Sequence, residues 1–546
     1  MQDLHSLEIF KTGGVKMKWT LAVFLGHFMV TFASVGEKTQ PEKTGWTGKL
    51  LVVPMDGSHW TGVKAVAEEM GRRGHKVTVV IPEVSIRLGP GKHYTTKMFP
   101  VPYGQEELEE LPARNAVVNK ELPLLEKIST KISNIRKFVN FQIVTAESLL
   151  FNKELVDYLR KQNFDAVLTS PTVPTGAILA YNLSLPAVYM LRGLPCGLDS
   201  TATACPEPLS YVPRFFTKNS DRMSFHQRVL NALVSIVEPV VCKVSYWSSE
   251  NVASRFLQRD VSLTEILRSG AIWLMRYDFT LEFPKPRMPN TVLIGGINCA
   301  VKSSLTKEVE EFVEGSGEDG FVVFTLGSLI ASMPKEKAEI FFNAFSMIPQ
   351  RVLWRYTGEI PENVPKNVKL MKWLPQNDLL GHPKAKAFIT HGGTHGIYEG
   401  ICNGVPMVML PLFGDQNDNV HRVASRGVGV ILDIHEITSE ALVDALNTVI
   451  TNSSYKEKMK KLSAIHNDRP IQPLDLAVHW TEFVMRHKGA DHLRPAAHDL
   501  NWLQYHSLDV IGFLLCVVLI VTIVSFKCCA MCCRKCFRKT QKRKAD

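Results

Sequence analysis

One stretch narrows the possible folds of this 546-residue chain more than any other. It is Trp373 to Gln416, WLPQNDLLGHPKAKAFITHGGTHGIYEGICNGVPMVMLPLFGDQ. AKAFIT is short and apolar on both faces, as a strand inside a parallel sheet must be, and HGGTHG then opens a helix carrying Tyr398 and Glu399. A second apolar strand and an acidic turn follow, so the pattern predicts half of a nucleotide-binding α/β unit. Gly392, Gly393 and Gly396 allow a ligand to come close to the main chain. A helix start leaves unpaired N–H groups and roughly half a positive charge, which suits a phosphate. His391 is placed to donate to the same anion. Trp373 offers a flat face for a base and Gln376 a bond to its edge. Glu399, about two helical turns beyond His391, is spaced to hold ribose hydroxyls. Asp415 and Gln416 sit at the carboxyl end of the next strand, where a carboxylate beside an amide suits sugar hydroxyls. Taken singly, each has a bland reading: tight turns for the glycines, core packing for Trp373, helix capping for Asp415.

The two ends of the chain read as addresses. Met17-Lys18 precedes WTLAVFLGHFMVTFA and small residues up to Gly36, so 1–36 reads as a signal peptide with an N-terminal extension. Val510 to Phe526 holds 17 residues without a charge, and Ser507 and Leu508 lengthen it toward a transmembrane helix over 508–526. The tail 527–546 has 8 Lys or Arg against 1 acid, a net of +7 of the chain's +10, so the basic balance belongs to the tail. Positive residues mark the cytosolic side, which predicts a type I single-pass protein with its bulk in the secretory lumen. Lys542 to Asp546 looks like a dilysine retrieval signal for the endoplasmic reticulum. No basic stripe with interleaved aromatics lies outside the tail, which argues against nucleic acid.

Five cysteines fall before the span, at 196, 205, 242, 299 and 402, an odd number without scaffold spacing. Those at 528, 529, 532, 533 and 536 lack histidines for a metal knuckle and read as free or acylated thiols. Asn182 and Asn452 head the sequons Asn-Leu-Ser and Asn-Ser-Ser.

In chain order, KLLVVPMDGSHWTGVKAVAEEMGRRGHKVTVVIP predicts strand, helix and strand, with His59 leaving the carboxyl edge of the first strand. Gln105 to Arg160 reads as helical cover for a second pocket, where Phe99, Tyr103, Phe138 and Phe141 fit either a lipophilic ligand or the core. LNALVSIVEPVVCKVSYW reads as a core helix or a membrane-facing one. The boundaries predicted are 37–300 for an N-terminal domain, 301–490 for a C-terminal domain and 491–507 for a juxtamembrane segment.

The 373–416 stretch, with GLPCGLDSTATACPEPLSYVPR and PLDLAVHWTEFVMRHKGADHLRPAAHDLNWLQYHSLDVIGFLL, resembles family 1 glycosyltransferases. It is most similar to the UDP-glucuronosyltransferases, in particular their first subfamily. The resemblance implies an α/β fold of two facing Rossmann-like doubly wound domains, the GT-B arrangement, plus a C-terminal transmembrane helix. It implies UDP-glucuronate as co-substrate with no separate cofactor and no metal. The chemistry implied is inverting transfer to hydroxyl or amine groups of small lipophilic acceptors. His59 then stands as general base. Ser170, in FDAVLTSPTVP, stands where relatives carry a helper Asp, and Asp165 is too far along the strand to replace it. The donor set implied is Arg276 for the sugar carboxylate, Ser328, Arg355, Trp373, Gln376, Thr390, His391, Gly392, Gly393, His395, Gly396, Glu399, Asp415 and Gln416. Ser170 also motivates an alternative, a weakly active or inactive homologue acting in a homo- or hetero-oligomer. Another UDP-sugar, or a single-pass receptor, are the remaining alternatives.

Overall fold

The computed structural model describes residues 46–108, 124–300, 302–328 and 330–542. The signal segment and the end of the retrieval sequence lie outside the described residues. The first sheet is built from β1 (Lys49–Val53), β2 (Lys76–Pro82), β3 (Thr95–Phe99), β4 (Ala166–Thr169), β5 (Ala187–Leu191), β6 (Gly270–Met275) and β7 (Thr291–Leu293), in the order β3-β2-β1-β4-β5-β6-β7. The second uses β8 (Phe321–Thr325), β9 (Arg351–Arg355), β10 (Val368–Met371), β11 (Ala385–Thr390), β12 (Met407–Met409) and β13 (Gly429–Ile431), in the order β10-β9-β8-β11-β12-β13. Neighbouring strands run parallel in both. Central strands such as FVVFT and AVYML are buried at every position, because helices cover both faces of a parallel sheet.

This strand order decides where a site can form. In the first sheet the order reverses between β1 and β4, where Val53 pairs with Thr169. In the second it reverses between β8 and β11, where Thr325 pairs with Thr390. The loops that leave these strand ends diverge to opposite faces of their sheet and open a crevice. His59 and Ser170 therefore flank one crevice, while Ser328 and His391 flank the other.

Six helices matter below: α1 (Ser58–Arg72), α2 (Phe225–Leu257), α3 (Thr394–Cys402), α4 (Gln416–Ser425), α5 (Pro473–His487) and α6 (Leu508–Lys542). Although α5 follows the second sheet in sequence, it packs on α1 and the first sheet. There it buries Ala477, Val478 and Thr481, and Arg73 meets Asp475 at 2.7 Å. The apolar helix differs from the sequence expectation at its end. It continues past Phe526 without a break, and Leu508–Lys535 is long and apolar enough to cross a membrane. The change at Lys527 is one of solvent preference, and the absence of Gly or Pro from 513 to 542 leaves the backbone no reason to stop.

Cys299 and Cys402 form a disulfide across a sequence separation of 103, tying the loop after β7 to the end of α3. Cys196, Cys205 and Cys242 remain free. The sequence spacing held no signal for this pair, because only the fold brings the two turns together. A closed loop of this length is worth about 3–5 kcal/mol to the folded state. Cys402→Ser should therefore lower the thermal midpoint by several degrees or more, and reductant should bring the wild type to the same value. An unchanged midpoint in both cases would show that the link carries no stability.

Candidate active site

The crevices of the two sheets face each other across a single cavity of about 950 Å³. On the second domain, β11 ends in buried Thr390, whose hydroxyl accepts from the Gly392 N–H at 3.4 Å and shapes the turn. Gly392 has φ +84°, and a Cβ there would meet Val420 Cγ1 at 2.3 Å, so both strain and space require glycine. The ring of His391 lies between Gly327 and Gly393, where an added Cβ would come within 2.5 Å of it from either side. Gly393 caps α3 with no side-chain bond to the helix start. The first N–H groups of α3, the His391 Nδ1 and the Ser328 hydroxyl thus form a cradle of polar groups. Both side-chain atoms are buried without a hydrogen-bond partner. Burial pushes the His391 imidazole down to about 4, so it is neutral and has one N–H to donate.

Glu399, one helical turn further along α3 from His395, is buried and held by Gln376 and Asn298. Its carboxyl is raised to about 7, by burial first and against the lowering of those two amides. Trp373 is half exposed, with the Arg87 guanidinium 4.6 Å and that of Arg355 5.2 Å from its ring centre. Arg355 also donates to the Gly327 carbonyl. At the far end, Asp415 occupies the N-cap position of α4 without a side-chain cap bond. Its carboxylate instead accepts from Asn419 at 2.9 Å and Thr394 at 3.4 Å. Gln416 turns its amide oxygen back to the Leu412 and Phe413 N–H groups, at 2.8 and 3.1 Å, leaving its amide nitrogen for a ligand.

From the first domain, His59 stands near the start of α1 with its Nδ1 3.1 Å from Ser170 Oγ. Ser170 in turn donates to Thr172 Oγ1 at 3.4 Å. Asp165 is engaged elsewhere, accepting from the Lys49 N–H at 2.6 Å and from Lys488. Arg276, just after β6, is 5% exposed. It bonds to His395 and lies 3.5 Å from His59 Nδ1, with no carboxylate within ion-pair reach among the described residues. Burial, then the Arg276 charge, holds His59 well below its ordinary value; His395 is lowered by burial and then by Arg276 and His59. Arg276 itself is lowered to about 10 by burial, despite the opposing pull of Asp415. An unpaired buried guanidinium is costly, and a bound carboxylate would relieve that cost. Phe138, Phe215 and Phe216 also line the cavity.

Known proteins match this arrangement. Residues 48–543 fit the family described as UDP-glucoronosyl and UDP-glucosyl transferase. The chain belongs to this family. Human UDP-glucuronosyltransferase 1A6 is 52% identical over 485 residues, covering 88% of this chain and 91% of that protein. Mouse UDP-glucuronosyltransferase 1A6 is 54% identical over 488 residues, with shares of 88% and 91%. Among solved structures, the glycosyltransferase VinC in complex with dTDP superposes with a TM-score of 0.55 at 17% identity, covering 80% of this chain and all of that one. A UDP-glucosyltransferase from Polygonum tinctorium does so at 0.55 and 14% identity, covering 81% and 99%. At such identities the structural matches establish the GT-B fold alone.

In this family member, the donor positions named from sequence line the one cavity, apart from Gly392, which shapes the turn behind it. Ser170 lies outside the lining but against His59. Phe99 is core, and Tyr103 bonds Thr145 at 2.8 Å and stacks on Phe141. Sequence reasoning missed Asn298, Arg87 and Arg192. All three follow strands of the first sheet at its carboxyl edge, the signal by which they were findable; the loop lengths hid how far they reach. Gly392→Ala should fold with a lower thermal midpoint, about 1–2 kcal/mol of left-handed strain plus the Val420 contact, and lose the midpoint rise that UDP gives the wild type. A full UDP-induced rise in the variant would separate this turn from nucleotide binding.

Proposed function

We propose that the protein transfers glucuronic acid from UDP-glucuronate to hydroxyl or amine groups of small lipophilic acceptors, with inversion at the anomeric carbon. The observation that carries this reading is the unpaired, buried Arg276 guanidinium set between His59 and the phosphate cradle. A glucuronate carboxylate completes its ion pair, which a neutral hexose cannot do. Uracil stacks on Trp373 beside Arg355, the ribose hydroxyls donate to Glu399, and the diphosphate lies against Ser328, His391 and the start of α3. Asp415 and the Gln416 amide hold sugar hydroxyls.

His59 is the general base. Ser170 accepts its Nδ1–H and passes its own proton toward Thr172, which fixes the tautomer with Nε2 free for the acceptor proton. Because burial and Arg276 hold His59 neutral, it is ready as a base at neutral pH. Pairing of Arg276 with the donor carboxylate removes the second of these influences, so donor binding raises the basicity of His59. As the acceptor oxygen attacks, negative charge leaves with UDP into the positive end of α3. Ser170 lends no charge to the imidazolium that forms, and this supports a slower second version of the same reading, a weakly active enzyme. Replacement of Ser170 by Asp distinguishes the two through a gain in turnover.

We propose in addition that the catalytic part lies in the lumen of the endoplasmic reticulum, with the basic tail in the cytosol. The Cys299–Cys402 disulfide supports an oxidising compartment. Asn452 caps the helix Ser453–Asn467 and is exposed, a geometry open to glycosylation; Asn182 is held by Arg160 at 3.0 Å.

In microsomes supplied with UDP-glucuronate, His59→Ala should reduce phenol transfer by about 100-fold or more while retaining the UDP-induced thermal shift. Arg276→Lys should lower the preference for UDP-glucuronate over UDP-glucose by about tenfold. Undiminished phenol transfer by His59→Ala would remove the base, and an unaltered sugar preference would remove Arg276 from donor selection.

Glu399 adds a pH dependence. Its folded pKa of about 7 lies above the ordinary 4.5, so ionisation costs folding stability as pH rises through that window. The ionised form is the stronger acceptor for the two ribose hydroxyls, so UDP affinity should rise between about pH 6 and 8. Calorimetric titration of Glu399→Gln, which keeps the phosphate titration of UDP itself, should give a flatter profile. Identical profiles for both proteins would exclude the carboxylate.

A further inference from the structure

The helix α2 is not needed by the transfer chemistry, yet a long run of apolar side chains is exposed along it. Phe225, Val229, Leu233, Ile236, Val240, Val244 and Trp247 are exposed along it, with Ile236 at 71% and Val244 at 75%. At about 100° per residue these side chains fall within an arc of about 120°, centred opposite Asn231. Asn231 is fully buried and donates to the Leu209 and Val212 carbonyls, both at 2.9 Å, while accepting from the Arg214 N–H at 2.7 Å. Val252 and Ala253, near the other end, are buried as well. The helix is long and apolar enough to span a bilayer by composition, but its inward face is bonded into the domain, so it lies flat.

We infer that the outer face of α2 rests in the surface of a lipid bilayer bearing anionic headgroups, the same bilayer that α6 crosses. Continuity with the anchor is the first argument. Pro239, Lys243, Tyr246 and Trp247 of α2 line a cleft whose other wall includes Tyr505 and His506, within three residues of the start of α6 at Leu508. The chain therefore enters the membrane beside this face. Charge is the second argument. Exposed Arg228 and Lys243 lie along one edge of the apolar arc. The helix's carboxylates turn inward instead: Glu238 lies 3.4 Å from Arg214, and Glu250 accepts from the Leu263 N–H at 2.8 Å. A face of aromatic and branched apolar side chains edged by cations is the pattern of an interfacial helix.

Two measurements on the full chain in microsomes test this. In the first, a photoreactive diazirine residue at Ile236 or Val240 should give lipid-mass adducts, while the same residue at exposed Met347 in the second domain should give none. Adducts with the mass of a second copy, or no lipid adducts, would overturn the inference. In the second, a protease site inserted between Ala497 and His498 allows the anchor to be cut off after folding. The wild-type luminal part should stay with the membranes through a high-salt wash. The triple variant I236E/V240E/V244E should release more than about tenfold more readily. A retained UDP-induced thermal shift shows that the variant is folded, and release of the cut wild type would also refute the bilayer contact.

Discussion

The segment from Arg276 to Glu282 holds the two domains in register through two carboxylates, the half-buried Asp278 and the buried Glu282. Asp278 accepts from His466 at 2.7 Å and from Arg469, and its own N–H donates to the Tyr398 hydroxyl of α3 at 2.7 Å. Glu282 pairs with Arg192 of the first domain and Arg422 of α4 in the second. Burial pushes the Glu282 carboxyl up, but Arg192 and Arg422 outweigh it and hold it at about 2. Such pairs add little net stability once desolvation is counted; what they supply is position. Removing one partner leaves an uncompensated charge, so only one placement of the domains satisfies every member.

That placement delivers the chemistry. Arg276 lies two residues before Asp278, and its N–H donates to the Leu191 carbonyl at 2.7 Å, so the anchors that join the domains also aim its guanidinium into the cleft. Within the same cleft, neutral His59, neutral His391 and the raised Glu399 all owe their shifts first to burial. One cleft thus holds two imidazoles lowered by burial beside a carboxyl raised by it. The departure at position 170 acts within this frame: the serine keeps the hydrogen bond to His59 and forgoes the charge.

Much of this was legible in advance, and the reasons differ by residue. The turn at His391–Gly396 and the acid at Asp415 stand on a contiguous stretch whose local pattern already dictates strand, turn and helix. Gln416 was legible as a site position, but its amide oxygen is committed to the Leu412–Phe413 turn, a bond that depends on how the loop closes. Asn298 and Arg87 sit on loops at a legible strand edge, but how far those loops of the first domain reach toward the second is set only by the packing. The exposure of α2 was left open between core and membrane, since apolar composition serves both and only packing distinguishes them.

By itself the sequence determined the parallel α/β class, the glycine turn at His391–Gly396, the family and the apolar C-terminal helix. Each is set by interactions among residues close in the chain: strand burial, glycine at a left-handed turn, helix periodicity. The tertiary structure alone decided that His59 meets Ser170 across 111 residues, that Cys299 joins Cys402, and that Arg276 is left buried without an acid. These depend on which strand ends become neighbours when the sheet order reverses, and no local pattern encodes that distance.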